Sequence, residues 1–529
     1  MRTLLRRPFI RPGTLLWLGA LSCLYLDSFI LPSTPIYQGD TAPIYMLEAR
    51  KMLEGQMIYR DFFQFTLPGT QVFYFLLFKL FGVRAWIPSA VWVLLGTSLA
   101  WLSFRISRHV LKGWHAYLPS LLFLAFGFVT EPDPTHHWFS TIACLGALAL
   151  LMAERTPPRL AAAGALCGLA ALFTQSRGAV GVMAIAVYLC WECRARKLGW
   201  KWLLEAEGYL WAGLLAMTLP PIAYLIAKVG LVRFISCTVV FMMKYWSKWY
   251  WGTFAVYMGS PPSVPVWLMP VALSVWLFLH ALIPWVYLWF LARYYRQAWQ
   301  HPDHPWDRLL LVNTMGIFLF LGVASAPVWF RLIAVAPPAM IMLVWLLDSS
   351  TAHSGRPAAS LAAFALAVLL GQSLIVQTGW KGYLEAPAGR AVLLHPERFT
   401  KYRWILDHTR PGDYFFQSDD CDQYFLLGLR NPAQVSFVVG GDYTRPEQVQ
   451  DVIATLERFQ VRWVMWSAWL DVPRRPGGNA KALAPLRAYL AAHYRPVRTF
   501  ADDEEEALER QRQWPVRTDE QENRASGMR

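Results

Sequence analysis

Residues 85–104 read AWIPSAVWVLLGTSLAWLSF, a run of twenty residues without a charged side chain. About 20 apolar residues in an α-helix span the hydrocarbon core of a bilayer, so this run predicts a transmembrane helix. With 56% hydrophobic and 16% charged residues, the 529-residue chain is also more apolar than soluble proteins are. About eleven such runs predict a polytopic α-helical membrane protein: 14–31, 85–104, 114–130, 138–153, 159–174, 179–192, 208–227, 264–291, 309–325, 332–347 and 357–376.

The positive charges predict an orientation in the membrane and argue against nucleic-acid binding. The net charge is +14, but Lys and Arg are spread over short loops between the apolar runs and do not gather on one face. The positive-inside rule places these loops in the cytoplasm, together with the N-terminus. A further apolar stretch, 68–82, is short and contains Lys79, and if it spanned, the later basic clusters would face outward. We therefore expect an outer juxtamembrane helix there.

The C-terminal part of the chain has the composition of a soluble domain. We predict a transmembrane domain over residues 1–394, an extracytoplasmic α/β domain over 395–515 and a disordered tail over 516–529. The acidic run 502–506 predicts a solvated helix face. Inside the α/β domain the patterns predict helices near 398–409 and 446–459 and strands at 413–417 and 461–466.

Two loops on the predicted outer face concentrate polar side chains. The first contains Asp40 and Asp61, and Asp40 precedes a helical pattern, which suits either a helix N-cap or a catalytic carboxylate. The second reads EPDPTHHWF, in which prolines on both sides of Asp133 restrict the direction of its carboxylate and His136 and His137 follow. A rigid turn between helices is the alternative, although it would require fewer polar groups.

Four more charged residues are candidates for a functional role. Arg177 lies at the outer end of a predicted helix, where an arginine also snorkels to lipid headgroups. Asp27 lies inside the first span, so it is either functional or a polar contact between helices. Lys244 and Lys248 belong to the stretch MKYWSKWYW, whose composition is typical of a segment among headgroups.

The order of these features resembles the GT-C superfamily of membrane glycosyltransferases, in particular the glycosyltransferase 39-like branch of protein O-mannosyltransferases and lipid A aminoarabinose transferases. The matching residues are Asp40 at the start of an amphipathic helix, the segment GQMIYRDFFQFTLPG, and Asp133 before a proline. Arg177 stands where relatives often have a lysine. Thr41 and Thr66 stand where many relatives have acids.

The resemblance implies inverting transfer of a sugar from a polyprenyl-phosphate donor to a protein, glycan or lipid acceptor outside the membrane. It implies Asp40 as general base and Asp133 as the residue that orients the acceptor or completes a metal site with Asp61 and His136 or His137. Arg177, with Lys244 or Lys248, would hold the donor phosphate. No cofactor is certain, the metal is unknown, and a divalent cation is the candidate to test.

Two other classes of protein stay open at this point. A transporter or lipid flippase would also have many spans and the intramembrane Asp27, but no paired half-repeats are visible and the polar groups gather in outer loops. A membrane-anchored binding protein would act through its C-terminal domain.

Overall fold

A computed structural model describes residues 12–37, 42–248, 252, 254, 273–274, 276–298, 305–350, 356–440, 443–471 and 480–511. Most of these residues are helical. The helices are Pro12–Ser28 (α1), Ala42–Leu53 (α2), Gly69–Phe81 (α3), Trp86–Ser107 (α4), Leu118–Phe126 (α5), His136–Leu151 (α6), Pro157–Phe173 (α7), Gln175–Ala195 (α8), Trp200–Val229 (α9), Leu231–Ile235 (α10), Phe241–Lys244 (α11), Ile283–Gln297 (α12), Trp306–Leu321 (α13), Trp329–Val335 (α14), Pro337–Ser350 (α15), Arg356–Thr378 (α16), Pro396–His408 (α17), Asp422–Leu427 (α18), Pro446–Arg458 (α19) and Ala484–His493 (α20).

Five helices in the described part are long and apolar enough to cross a bilayer. The pair α14 and α15 would make a sixth span, bent by 61° where Pro337 interrupts the helical hydrogen bonds. The predicted runs 138–153 and 159–174 also form helices, but these have only 16 and 17 residues. The run 264–291 lies partly outside the described residues. The plan is therefore that of a polytopic helical protein, while the count of eleven spans stays a prediction.

Helices α7 and α9 pack with their backbones almost touching. A Cβ atom on Gly164 would lie 1.9 Å from the carbonyl oxygen of Leu210, and one on Gly213 would lie 1.9 Å from that of Ala161. A Cβ atom on Gly168, four residues after Gly164, would lie 2.8 Å from the carbonyl oxygen of Leu214. Small residues at this spacing allow membrane helices to approach closely, so these glycines fix the crossing point of the pair.

The C-terminal part contains a mixed sheet with helices packed around it. Its strand order is β5-β6-β8-β7, with β5 and β6 parallel and the other pairs antiparallel. The helices and strands predicted from the sequence between 398 and 466 are present. The strands of the whole chain are Phe29–Ile30 (β1), Thr34–Pro35 (β2), Gly382–Ala386 (β3), Gly389–Leu393 (β4), Phe415–Gln417 (β5), Trp463–Ser467 (β6), Tyr494–Phe500 (β7) and Glu505–Arg510 (β8).

The prediction of a solvated helix face over the acidic run 502–506 is wrong. Asp502–Glu504 form a short 3₁₀ turn, and Glu505 begins strand β8 as a fully buried residue. Its carboxylate accepts hydrogen bonds from Lys401 Nζ at 2.7 Å and from Gln417 Nε2 at 3.0 Å. Two partners that lie about 90 to 100 residues away in the sequence therefore hold in the interior a carboxylate that the local composition predicts to be solvated. The predicted disordered tail, 516–529, lies outside the described residues.

Candidate functional site

A cavity of about 1420 Å³ lies where the predicted outer loops meet the C-terminal part of the chain. Lining residues occur within 44–67, 131–138, 174–177, 222–247, 322–331 and 419–469. The structure thus brings the three loops selected from the sequence to one place, although they lie far apart along the chain. It also adds a wall from the C-terminal part.

Asp133 is held at the edge of this cavity by the first turn of α2. The backbone N–H of Ala42 donates to Asp133 Oδ1 at 2.9 Å, and the indole N–H of Trp138 donates to the Asp133 carbonyl at 3.0 Å. The carboxylate side chain is buried and lines the cavity. Asp40, the other predicted catalytic acid, lies outside the described residues; Ala42 follows it by two positions.

Both predicted loop histidines line the cavity and have separate partners. His136 Nδ1 shares a hydrogen bond with the hydroxyl of Tyr45, an α2 residue that also lines the cavity. Burial raises the pKa of Tyr45 well above its ordinary value, and the charges of Glu48 and Asp133 raise it further. Tyr45 is therefore a neutral hydrogen-bonding group close to two carboxylates. His137 lies beside Arg177.

Arg177 is buried at the start of α8 and fixed by the start of α6. Its Nη1 donates to the carbonyl oxygen of His137 at 2.7 Å and to Thr141 Oγ1 at 2.9 Å, while Nη2 lies 3.5 Å from His137 Nδ1. These contacts leave the guanidinium at the cavity wall in a fixed orientation. An arginine held in this way can present a charged face to an anion in the cavity.

A second arginine in the cavity wall, the partly buried Arg331, is absent from the residues predicted from the sequence. Its Nη1 donates to the carbonyl oxygen of Ala326 at 3.0 Å, and its guanidinium lies 5.5 Å from the ring centroid of Trp246 and 5.4 Å from that of Phe330. The predicted span 332–347 began immediately after it. Arg331 is a charged residue at the edge of an apolar run, and this position is the sequence feature that marks it as a candidate site residue.

Glu48 is a further cavity residue that was not selected. It lies two turns along α2 from Ala42 and is almost completely buried. Its carboxylate accepts hydrogen bonds from Gln64, Gln71 and Ser436. Burial raises the pKa of Glu48, and these donors and nearby Lys51 oppose that rise.

The structure places four of the predicted site residues away from the cavity lining. Lys244 and Lys248 are exposed, because the turns formed by 241–248 direct Met242, Met243 and Trp246 to the cavity instead. Asp61 closes a turn, where it accepts the N–H of Met57 at 2.7 Å and pairs with exposed Arg60. Asp27 accepts a hydrogen bond from Ser373 at 2.7 Å, which is the polar contact between helices considered as its alternative.

Within the described part of the chain, no three His, Cys, Asp or Glu side chains come together as a group that could hold a metal ion. The predicted set of Asp133, Asp61 and a loop histidine is therefore not brought together. Asp61 does not line the cavity, and His136 uses Nδ1 for Tyr45.

Comparison with solved structures identifies the architecture. The structure is similar to that of ArnT, a lipid A aminoarabinose transferase, from Cupriavidus metallidurans bound to undecaprenyl phosphate, with a TM-score of 0.60, 13% identity and coverage of 94% of this chain and 97% of that one. The fold is that of the GT-C glycosyltransferases. The apo structure of the same ArnT gives a TM-score of 0.59, with 13% identity and the same coverage of both chains.

The archaeal oligosaccharyltransferase AglB from Archaeoglobus fulgidus, in complex with an inhibitory peptide and a dolichol-phosphate, is also similar. Its TM-score is 0.50 at 11% identity, covering 96% of this chain and 75% of that one. No family model matches the sequence, and no curated protein matches it. The resemblance to GT-C proteins inferred from the sequence is thus confirmed at the level of the fold.

Proposed function

We propose that this chain is an integral-membrane glycosyltransferase that moves a sugar from a polyprenyl-phosphate donor to an acceptor on the outer face. The observation that carries the proposal is the cavity, whose wall contains the guanidinium groups of Arg177 and Arg331 and the Asp133 carboxylate. The fold similarity to ArnT, which was solved with undecaprenyl phosphate, supports a lipid-phosphate ligand in that cavity.

Arg177 and Arg331 would hold the donor phosphate. Guanidinium groups match phosphate oxygens in geometry and charge, and burial strengthens the contact because little water competes. One side of the cavity is apolar, with Ile222, Val239 and Met242 in its lining, and this side suits the polyprenyl chain. The exposed Lys244 and Lys248 are less suited to the phosphate role than Arg331.

Asp40 and Asp133 are the candidates for general base. Asp40 precedes Ala42 by two positions in the sequence, and the backbone N–H of Ala42 donates to Asp133. In the reaction the acceptor oxygen bonds to the anomeric carbon, the bond from that carbon to the phosphate oxygen breaks, and a carboxylate takes the acceptor proton. The polyprenyl phosphate leaves as an anion, so a strong acid is not required, and one displacement inverts the configuration. We assign no step to a divalent cation, because the described residues supply no set of three ligands.

The orientation proposed from the charge pattern fits the position of the loops. If α3 crossed the membrane, the loops containing Ala42 and Asp133 would lie on opposite sides, yet the two residues are hydrogen-bonded. With 13 residues, α3 is about 20 Å long, which is shorter than the hydrocarbon core. We therefore propose that α3 lies along the outer surface, with the C-terminal part on the outer side and the N-terminus in the cytoplasm.

The C-terminal wall of the cavity is the proposed contact for the acceptor. Asp420, Ser436, Tyr443 and Trp469 belong to its lining. Hydroxyl, carboxylate and aromatic groups suit a protein, glycan or lipid headgroup equally, so the acceptor class stays open. The transporter alternative loses support, because Asp27 is used in a contact between helices and does not line the cavity.

A transfer assay in proteoliposomes tests this proposal with radiolabelled polyprenyl-phosphate sugars. Asp40→Asn and Asp133→Asn should each be folded and bind donor, and the variant of the true base should lose about 100- to 10,000-fold in turnover. Near-normal turnover by both variants would exclude these carboxylates as the base. No transfer by the wild type from any donor of this class would overturn the glycosyltransferase assignment.

A further inference from the structure

Helix α2 contacts three parts of the cavity lining through residues at successive turns. Ala42 holds Asp133 through its backbone N–H, Tyr45 contacts His136, and Glu48 contacts Ser436 in the C-terminal wall. The spacing of three residues places these positions on neighbouring sides of one helix. One rigid element therefore sets the distance between the carboxylate loop and the C-terminal wall.

The Glu48 carboxylate accepts hydrogen bonds from donors in three different segments. Gln64 Nε2 lies 3.0 and 2.9 Å from its two oxygens, Gln71 Nε2 donates at 2.8 Å and Ser436 Oγ at 3.0 Å. A carboxylate offers about four acceptor positions, and these three donor groups occupy most of them. Both oxygens of Glu48 are therefore already engaged, although the residue borders the cavity.

Neighbouring residues extend this attachment to the C-terminal part. Lys51 Nζ donates to the carbonyl oxygen of Ala433 at 2.8 Å, and the backbone N–H of Phe63 donates to that of Gln434 at 2.9 Å. On the same helix, Arg50 donates to the carbonyl oxygens of Gly428 and Leu429, both at 3.0 Å. The segment that these contacts hold, residues 428–434, continues directly into the lining residues of the C-terminal wall.

We propose that Glu48 is a positioning residue that fixes the C-terminal wall of the cavity relative to the loop 64–67 and to Asp133. This inference rests on the proposed function, since it assigns the wall to the acceptor. Loss of the Glu48 contacts lets the segment 433–439 shift, and a shift of about 1 Å costs about 100-fold in rate when it separates reacting groups. Donor binding at Arg177 and Arg331 does not depend on this segment and is unchanged.

The test compares substitutions of Glu48 with a matched residue on the same helix. Glu48→Ala removes all four contacts and should lower kcat/KM for the acceptor by about 100-fold without changing donor affinity. In Glu48→Gln, kcat/KM for the acceptor should stay within a few-fold of the wild-type value. Gln71 can rotate its amide and accept a hydrogen bond from the new NH₂ group, because Gln71 Oε1 has no hydrogen-bond partner within the described structure. Glu54→Ala, which removes only a partly exposed ion pair with Arg50 and Arg430, is the control and should match wild type.

A catalytic or metal-binding carboxylate would be lost in Glu48→Gln as in Glu48→Ala, and that result would overturn the proposal. Full acceptor transfer by Glu48→Ala would also overturn it. If Glu48→Ala does not fold, Ser436→Ala removes one contact and should lower acceptor kcat/KM several-fold at unchanged donor affinity.

Hydrogen exchange separates this inference from the proposed function. In Glu48→Ala, or in Ser436→Ala, the backbone amides of 434–439 should exchange faster than in wild type, while those of α8 should not. Unchanged exchange in that segment would refute the attachment even if transfer were measured. If the variants exchange faster and the wild type transfers no sugar, the attachment through Glu48 would stand and the glycosyltransferase assignment would be refuted.

Discussion

The assignment of Arg177 and Arg331 to the donor phosphate gives the sharpest prediction. Replacing either with Met removes the charge while keeping an unbranched side chain of similar length. A hydrogen bond to a charged group contributes about 1.5–3 kcal/mol, which corresponds to a rise in donor Kd of about 10- to 150-fold. The double variant should bind undecaprenyl phosphate no more tightly than the neutral alcohol, because the guanidinium groups of Arg177 and Arg331 account for the phosphate recognition.

The assay measures binding of undecaprenyl phosphate and of undecaprenol to the protein in nanodiscs of uncharged lipid. The ratio of the two Kd values isolates the contribution of the phosphate from that of the apolar chain. Arg177→Met also removes the hydrogen bonds to the His137 carbonyl and to Thr141, so a second variant, Arg177→Lys, tests whether charge alone restores part of the ratio. The thermal midpoint of each variant is recorded as the control for folding.

Lys244→Met is the control that distinguishes the sequence-based assignment from the structural one. Lys244 is exposed, with its ammonium 5.1 Å from the ring centroid of Tyr245, and does not line the cavity. We expect its Kd ratio to equal that of wild type. The reasoning would be refuted if Lys244→Met reduced phosphate selectivity while Arg177→Met and Arg331→Met left it unchanged.

Three further predictions concern the reaction, stability and orientation. Asp61→Asn should retain full transfer activity, since Asp61 closes an exposed turn, and a loss of activity as large as that of Asp133→Asn would place Asp61 at the site after all. Burial lowers the pKa of Lys51 to about 8, so the folded protein binds fewer protons than the unfolded chain between about pH 8 and 10.4 and should gain stability as pH rises through that range. The Tm of Lys51→Met should lack this rise. In a background without other cysteines, Lys248→Cys should react with an impermeant maleimide in intact cells and Arg196→Cys only after permeabilisation; the opposite pattern would reverse the orientation.

The helices were accessible from the sequence because hydropathy acts locally. The run 85–104, for example, forms α4 over Trp86–Ser107 without help from distant partners. The loop residues Asp133, His136 and Arg177 line one cavity, because alternation of sides along the chain brings outer loops together. The contacts among them were not predictable, since they depend on the contact of Tyr45 in α2 with the start of α6 and on the packing of α6 against α8.

Three differences between the sequence-based predictions and the structure share a physical cause. Lys244 and Lys248 were selected for composition, but the phase of a short helical segment decides which side chains meet the cavity, and this segment presents Met242 and Trp246. The burial of Glu505 depends on Lys401, which is distant in the chain. Glu48 stood in the sequence as one of several loop acids, and only its contact with Ser436 distinguishes it.

The crossing of α7 and α9 constrains the order in which the protein can be assembled. Gly164 and Gly213 leave no room for lipid between the two backbones, so the contact must close after both helices have entered the bilayer. Helix α8 lies between them in the sequence, so it leaves the ribosome before α9 does. During synthesis the surface of α7 at Gly164 and Gly168 therefore has no partner helix until α9 is released from the insertion machinery.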